Sequence, residues 1–332
     1  MMTQAASHLR ATVFIPTYNG EKYIGDILKS LFRQEVNYAY EVYIIDSGST
    51  DGTLDTIRKY QKKHKNLRLK EIDNSDFGHG KTRNLAAQES DAEFMVYLSH
   101  DAIPANKHWL YEILKPFELH EKIVAVVGKQ KARPKCVPIL KYEIRSVFRS
   151  LGPDHGTTIS YKDSFMKNPA FLDSVSYYSD VASATRRDFL LNEIPYRDVP
   201  YAEDYMFGRD LIEAGYMKAY ASRAVVVHSN DLSFTEYKHR IFDETVGIRK
   251  MGVHIKKPRF RSMLKAVTLG SLADGVRIFF DREYSFKRKV FWLLANPFYH
   301  VEKWRGIRLA VSHTLGDEDL HRRYSLESRR KK

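Results

Sequence analysis

Ile44-Ile45-Asp46-Ser47-Gly48-Ser49-Thr50-Asp51-Gly52-Thr53 carries the chain from one periodicity into another. Its first two residues close the apolar run 42–45, which has the composition of a buried strand. Beyond it, residues 54–64 have helical spacing. Small hydroxyl residues, two glycines and two carboxylates lie between. Such a turn leaves backbone N–H groups free at a helix start and holds a carboxylate at a sheet edge. That suits a nucleotide, with Asp46 accepting from base or ribose and the loop through Ser47 and Gly48 near anionic oxygens. The same residues also suit a plain strand-to-helix turn in which Ser49 or Thr50 caps the helix.

The alternation extends on both sides of this stretch. Apolar runs at 11–15, 67–72, 94–98 and 123–127 predict strands, and 22–33, 81–89 and 109–120 predict helices. Alternation of this kind predicts an α/β fold with a mostly parallel sheet flanked by helices. Ligands of such sheets bind outside the carboxyl ends of the strands. Polar clusters sit at those ends: Pro16-Thr17-Tyr18-Asn19, residues 46–52, and Ser99-His100-Asp101. Residues 130–200 are less regular and punctuated by six prolines. A helix over 201–215 and a strand over 219–227, ending at His228, follow.

The 332 residues carry a formal charge of +13, and its distribution is uneven. From Asp231 onward there are 23 Lys and Arg against 12 Asp and Glu, so nearly all the excess lies in the last third. Leu272, Val276, Phe279 and Phe280 fall on one face of a helix there. Phe291, Leu294, Phe298 and Val301 form a second stripe, kinked or interrupted at Pro297. Trp292, Phe298, Tyr299 and Trp304 stand among lysines and arginines, a combination suited to an anionic membrane surface. A helical bundle with a solvated basic face would show the same pattern. Cys136 is the single cysteine, which excludes an internal disulfide and a thiolate metal cage. No run of about 18 apolar residues and no secretory pattern at Met1–Arg10 is present, so the expected location is cytoplasmic, peripheral on the inner face of the membrane. Zinc spacings and recognition-helix motifs are missing, so nucleic acid is not an expected partner.

Three further groups can carry chemistry. Asp101, at a strand end, can hold a divalent cation, although a loop aspartate is also commonly just solvated. Glu203-Asp204 opens a helix, where the dipole favours carboxylates in any case and where one of them can deprotonate a hydroxyl. His228 can be a metal ligand or a half-buried imidazole.

In this order the elements resemble the family-2 inverting glycosyltransferases of GT-A fold. Residues 15–20, 44–53, Arg83-Asn84, Ser99-His100-Asp101, Glu203-Asp204 and His228 carry the resemblance. It implies a nucleotide-sugar site built from Pro16, Thr17, Tyr18, Asn19, Asp46, Ser47 and Gly48. His79, Lys81, Arg83, Asn84 and His100 would add donors or positive charge to that site. It further implies Mg²⁺ or Mn²⁺ at Asp101 with His228, Asp204 as catalytic base with Glu203 beside it, and a glycan or polyprenyl-linked acceptor.

Asp46-Ser47 replaces the two aspartates of many members, and Ser99-His100-Asp101 replaces their Asp-x-Asp. With Phe77-Gly78-His79-Gly80, these departures resemble the bacterial rhamnosyltransferases that use dTDP-L-rhamnose. A UDP-sugar donor, or an inactive scaffold relative, is the alternative. The expected division is a glycosyltransferase domain over 1–230, with donor part 10–130 and acceptor part 131–230, and a basic helical region over 231–332.

Overall fold

The computed structural model describes residues 9–163, 169–199, 201–230, 232–250 and 252–330. The first half forms β1 (Leu9–Thr17), α1 (Glu21–Leu31), β2 (Ala39–Asp46), α2 (Thr53–Gln61), β3 (Leu67–Glu71), α3 (His79–Gln88) and β4 (Phe94–Leu98). Next come β5 (Ile103–Pro104), α4 (Trp109–Leu114) and β6 (Ile123–Lys131). The proline-punctuated stretch holds α5 (Pro138–Leu151), β7 (Thr157–Ser160), α6 (Pro169–Ser176), β8 (Ala182–Arg186) and α7 (Arg187–Asn192). Then follow α8 (Glu203–Glu213), β9 (Met217–Val227), α9 (Phe234–Lys250), α10 (Phe260–Phe280), α11 (Phe286–Ser312), α12 (Glu318–Tyr324) and α13 (Leu326–Arg330).

The strands make one sheet in the order β3-β2-β1-β4-β8-β6-β9-β5, with β7 also on β9. From β3 to β4 the pairing is parallel, as the sequence predicts. β8 then enters antiparallel to both β4 and β6, so the second half of the sheet is mixed. β6 and β9 run parallel. This arrangement puts the carboxyl ends of β1, β2, β4, β6 and β9 on one edge, together with the amino end of β8. The apolar runs are buried because helices cover the sheet: Val13, Ile15, Ile44 and Val96 pack with Ile24, Leu28 and Trp109 in one core.

The chain divides into two compact units. The first comprises residues 1–131 and 145–228 and contains the sheet. The second comprises 132–144 and 229–332, so a short piece of the irregular stretch groups with the tail. In this second unit Lys141, 3% exposed, pairs with Asp281 at 2.8 Å and Glu283 at 2.7 Å. α11 runs unbroken through Pro297, which corrects the expected interruption. Proline removes one helical N–H, and the bonds on either side hold the remainder. The tail's aromatic residues also differ from expectation. Tyr299 is buried against Tyr237, and Trp292 and Trp304 are half-buried, while Phe298 is exposed. Rings that make good interfacial anchors also make good core, and here three of the four pack inward.

Gly208 lets α8 press against the 176–178 segment, since a Cβ there would lie 2.3 Å from the Ser176 carbonyl oxygen. Gly208→Ala is expected to cost about 1–3 kcal/mol, measured as a lower urea midpoint. An unchanged midpoint would show that the contact is looser than described.

Candidate active site

Thr17 and Asp46 are register partners at the ends of β1 and β2. Asp46 is fully buried, and its carboxylate is occupied. Thr17 Oγ1 donates to Oδ2 at 3.0 Å and Ser49 Oγ at 2.6 Å, while the N–H groups of Gly48 and Ser49 donate to Oδ1 at 3.1 and 2.8 Å. Asp46 therefore shapes the loop, and Gly48 at φ 83° permits the turn. The 16–20 loop is stitched to it: the N–H of Asn19 donates to Ser49 Oγ at 2.8 Å, and the N–H of Thr50 to Asn19 Oδ1 at 2.9 Å. Neither Ser49 nor Thr50 caps α2, whose N-cap is Gly52. Pro16 is half-buried and Ser47 buried, its hydroxyl donating to the Thr17 carbonyl at 3.2 Å. Tyr18, Asn19 and Gly48 are the exposed members, so Tyr18 offers a ring at the strand edge. His100 lies over Gly20, where a Cβ would sit 3.3 Å from its ring.

Pairing of β5 with the end of β9 places Asp101 beside His228, far apart as they are in sequence. Their Oδ2 and Nε2 atoms are 3.3 Å apart. His228 Nδ1 lies 3.0 Å from Gln130 Oε1, and Gln130 Nε2 donates to Ser179 Oγ at 3.2 Å. The amide oxygen accepts from the ring at Nδ1, which leaves Nε2 directed at the Asp101 carboxylate. This pair of side chains would suit a divalent cation. Among the described residues no three His, Cys, Asp or Glu gather into a metal cage made of protein alone.

The third group lies where β8 begins. Arg83 on α3 is 6% exposed, with Nε 2.9 Å from Asp180 Oδ2 and Nη1 on Glu203 Oε1. Asp180 also accepts from Ser183 Oγ at 2.5 Å and from the Tyr196 hydroxyl at 2.9 Å. Asn84 binds the Tyr196 backbone twice, donating to its oxygen at 2.8 Å and accepting from its N–H at 3.0 Å. Arg83 and Asn84 thus both hold protein groups. His79 is half-buried with its ring edge-on to Phe77, and Lys81 is exposed on the same helix turn. Gly80 brings that turn against the 196–197 segment, since a Cβ would lie 2.1 Å from the Arg197 oxygen.

Glu203 and Asp204 open α8 behind Ala202, whose left-handed φ of 64° stores roughly 1–2 kcal/mol. The two carboxylates differ in state. Burial works to raise the Glu203 pKa, but the adjacent Arg83 outweighs it and keeps Glu203 ionised. Asp204 accepts the N–H groups of Asp180 at 3.2 Å and Tyr205 at 2.8 Å. Burial, then the Glu203 and Asp180 charges, push its pKa up to about 7. Asp204 remains partly exposed at the site edge. A carboxylate poised near neutrality beside an open edge suits proton abstraction.

The glycosyl transferase family 2 profile matches residues 12–192, more than half of the chain. The chain belongs to that family. This family-2 glycosyltransferase is 29% identical over 245 residues to the O-antigen chain rhamnosyltransferase RfbN of Salmonella typhimurium, covering 72% of each chain. It is 31% identical over 238 residues to the O-antigen chain rhamnosyltransferase WbaN of Salmonella anatum, covering 71% of each. In fold it is similar to a mannosyltransferase from Pyrobaculum calidifontis (TM-score 0.58, 17% identity, 91% of this chain and 88% of that one). TarS residues 1–349 of S. aureus is a second fold neighbour (TM-score 0.52, 20% identity, 92% and 90%).

Sequence reasoning did not find Asp180 or Gln130. Asp180 lies just before β8 and Gln130 near the end of β6, and only the antiparallel entry of β8 and the length of β6 bring them to the edge.

The Asp204 shift has a consequence for stability. Its folded pKa of about 7 exceeds the ordinary value of about 3.9, so the folded state retains a proton that the unfolded chain releases. That contribution is full below about pH 4 and is lost as pH rises through about 7. Asp204→Asn should therefore gain stability relative to the parent as pH is raised from about 5 to about 8, read as the difference in Tm. A difference independent of pH would mean that the carboxyl is not shifted.

Proposed function

We propose that this glycosyltransferase moves L-rhamnose from dTDP-rhamnose, with inversion, onto a glycan or polyprenyl-linked acceptor in bacterial cell-surface polysaccharide synthesis. The acceptor would be presented at the inner face of an anionic membrane. The observation that carries this reading is the meeting, on one sheet edge, of the Asp101–His228 pair, the stitched loops after β1 and β2, and the near-neutral Asp204. The names of the two Salmonella rhamnosyltransferases support the sugar and the pathway class.

The chemistry is a single displacement. The acceptor hydroxyl oxygen attacks the anomeric carbon and the bond from that carbon to the diphosphate oxygen breaks, its electron pair leaving with the nucleoside diphosphate. Asp204 takes the hydroxyl proton, with Asp180 and Tyr205 N–H groups holding its carboxylate in place. Glu203, paired with Arg83, stays ionised beside it and keeps the Asp204 pKa high. Asp101 and His228 would hold Mg²⁺ or Mn²⁺, which supplies neutralisation of the diphosphate charge when bound. The mannosyltransferase solved with GDP-Man and Mn²⁺ is in keeping with that assignment. In this reading Tyr18, Asn19 and Gly48 would contact the nucleoside, and His79, Lys81 and His100 the phosphates.

Asp204→Asn should lower kcat by about two to four powers of ten while donor affinity stays within about twofold. Turnover close to that of the parent would remove Asp204 from the role of base. Thermal shift with dTDP-rhamnose, UDP-glucose, UDP-GlcNAc and GDP-mannose, in Mg²⁺ and again in EDTA, tests the donor. A donor at about one hundred times its Kd adds about 2.7 kcal/mol of stability. Selective stabilisation by dTDP-rhamnose, lost in EDTA, is expected. A shift with a UDP-sugar alone would replace the donor, and a response unchanged by EDTA would remove the metal from Asp101. No shift and no turnover with any donor would favour an inactive scaffold relative.

A further inference from the structure

α10 and α11 of the second unit form a helical hairpin closed by residues 281–285, and its apolar residues face the wrong way for a water-soluble bundle. On α10 the buried positions are Asp274 and Ile278, one turn apart. The opposite face carries Leu272, Val276, Phe279 and Phe280, each at least 59% exposed. α11 repeats the pattern. It buries Asn296, Tyr299 and His300 and turns Phe291, Leu294 and Phe298 outward at 57–70% exposure. A polar pair, His300 Nε2 to Asp274 Oδ2 at 2.9 Å, fastens the helices from within. Between the stripes runs an apolar groove of about 460 Å³, bordered by Gly275, Leu293 and Pro297. A water-soluble helix buries its apolar stripe, and a contiguous exposed one marks an interaction surface.

Charge identifies the partner. Residues 256–289 hold ten Lys and Arg against three Asp and Glu. Two of those acids, Asp274 and Asp281, are buried and engaged with His300 and Lys141. Each stripe also runs into cations along its own helix face: Lys265 and Arg261 one and two turns before Leu269 on α10, Arg305 and Arg308 after Val301 on α11. A second copy docked on this face would bring like charges together, whereas anionic headgroups complement them. The α10 stripe from Leu269 to Phe280 spans about 17 Å, short of a bilayer's hydrocarbon core of about 30 Å, and no helix among the described residues is long and apolar enough to cross a membrane.

We infer that the α10–α11 hairpin lies in the plane of an anionic bilayer, with Phe279, Phe280, Phe291, Leu294 and Phe298 inserted among the acyl chains and the flanking cations on the headgroups. The inference deepens the membrane part of the proposed function and rests on it only there, because it does not depend on the donor or on the catalytic residues.

The test is co-sedimentation of the full chain with vesicles of equal parts phosphatidylglycerol and phosphatidylcholine, compared with phosphatidylcholine alone. The parent should sediment with the anionic vesicles and keep part of its binding in high salt, since buried apolar area is not screened. The triple variant Phe279→Ser, Phe280→Ser, Phe291→Ser should partition about tenfold less or weaker still. All three side chains are exposed, and an unchanged thermal-shift response to the nucleotide donor shows that the variant is folded. Equal sedimentation of the two proteins, or none by the parent, would overturn the inference. A parent that is dimeric on size-exclusion and ignores vesicles, while the variant is monomeric, would assign the face to a second copy. A failed donor assay with intact vesicle binding would count against the catalytic reading and leave this one standing.

Discussion

The Arg83 guanidinium lies out of water between Asp180 and Glu203, and the geometry of the candidate site depends on it. A buried cation of this kind costs several kcal/mol in lost hydration unless its partners are close and well oriented. The partners come from two distant places, the start of β8 and the start of α8. Holding them together brings the Asp180 N–H onto Asp204 and leaves Asp204 as the one carboxyl of the group without a cation of its own. The same arrangement therefore builds the site and sets its acid–base state. One carboxylate is ionised by contact with arginine, and its neighbour is held near neutrality by burial and by the charges beside it.

A comparable division of labour governs the donor edge. Asp46, whose sequence position suggests a ligand contact, spends its carboxylate on four donors of the protein itself. Its value to the site is a rigid loop that exposes Tyr18, Asn19 and Gly48. Rigid loops lose less entropy on binding, which is how a residue that touches nothing but protein can still contribute to affinity. His228 is similar in principle, since Gln130 dictates which of its ring nitrogens faces Asp101. In the second unit the order of inside and outside is partly reversed, with polar Asp274, Asn296 and His300 enclosed and phenylalanines exposed. The enclosed polar groups cost stability that an apolar packing face would not, consistent with a face kept for another medium.

Much of the first unit was legible in the amino-acid sequence. Strand and helix periods near residues 44–53 and their repeats predicted β1 through β4 with their helices, and glycine and hydroxyl residues located the loops. Local spacing determines these features, because one turn of helix or one strand is chosen by residues within a few positions of each other. The apolar stripes on α10 and α11 were legible for the same reason, as periodic patterns. Their direction was not, since a stripe at helical spacing has the same period whether it meets a core or faces outward.

The sequence by itself determined the periods of the elements, the positions of the polar clusters at strand ends, the charge of the last third and the family resemblance. Only the tertiary structure decided that β8 inserts antiparallel, that Asp101 meets His228 and that Arg83 joins the Asp180 and Glu203 carboxylates. It also decided that the tail's phenylalanines point outward while Tyr299 turns in. Each of these joins residues tens to more than a hundred positions apart. Such contacts form when the whole chain buries its apolar surface and satisfies its buried charges at once, a condition no local window of sequence contains.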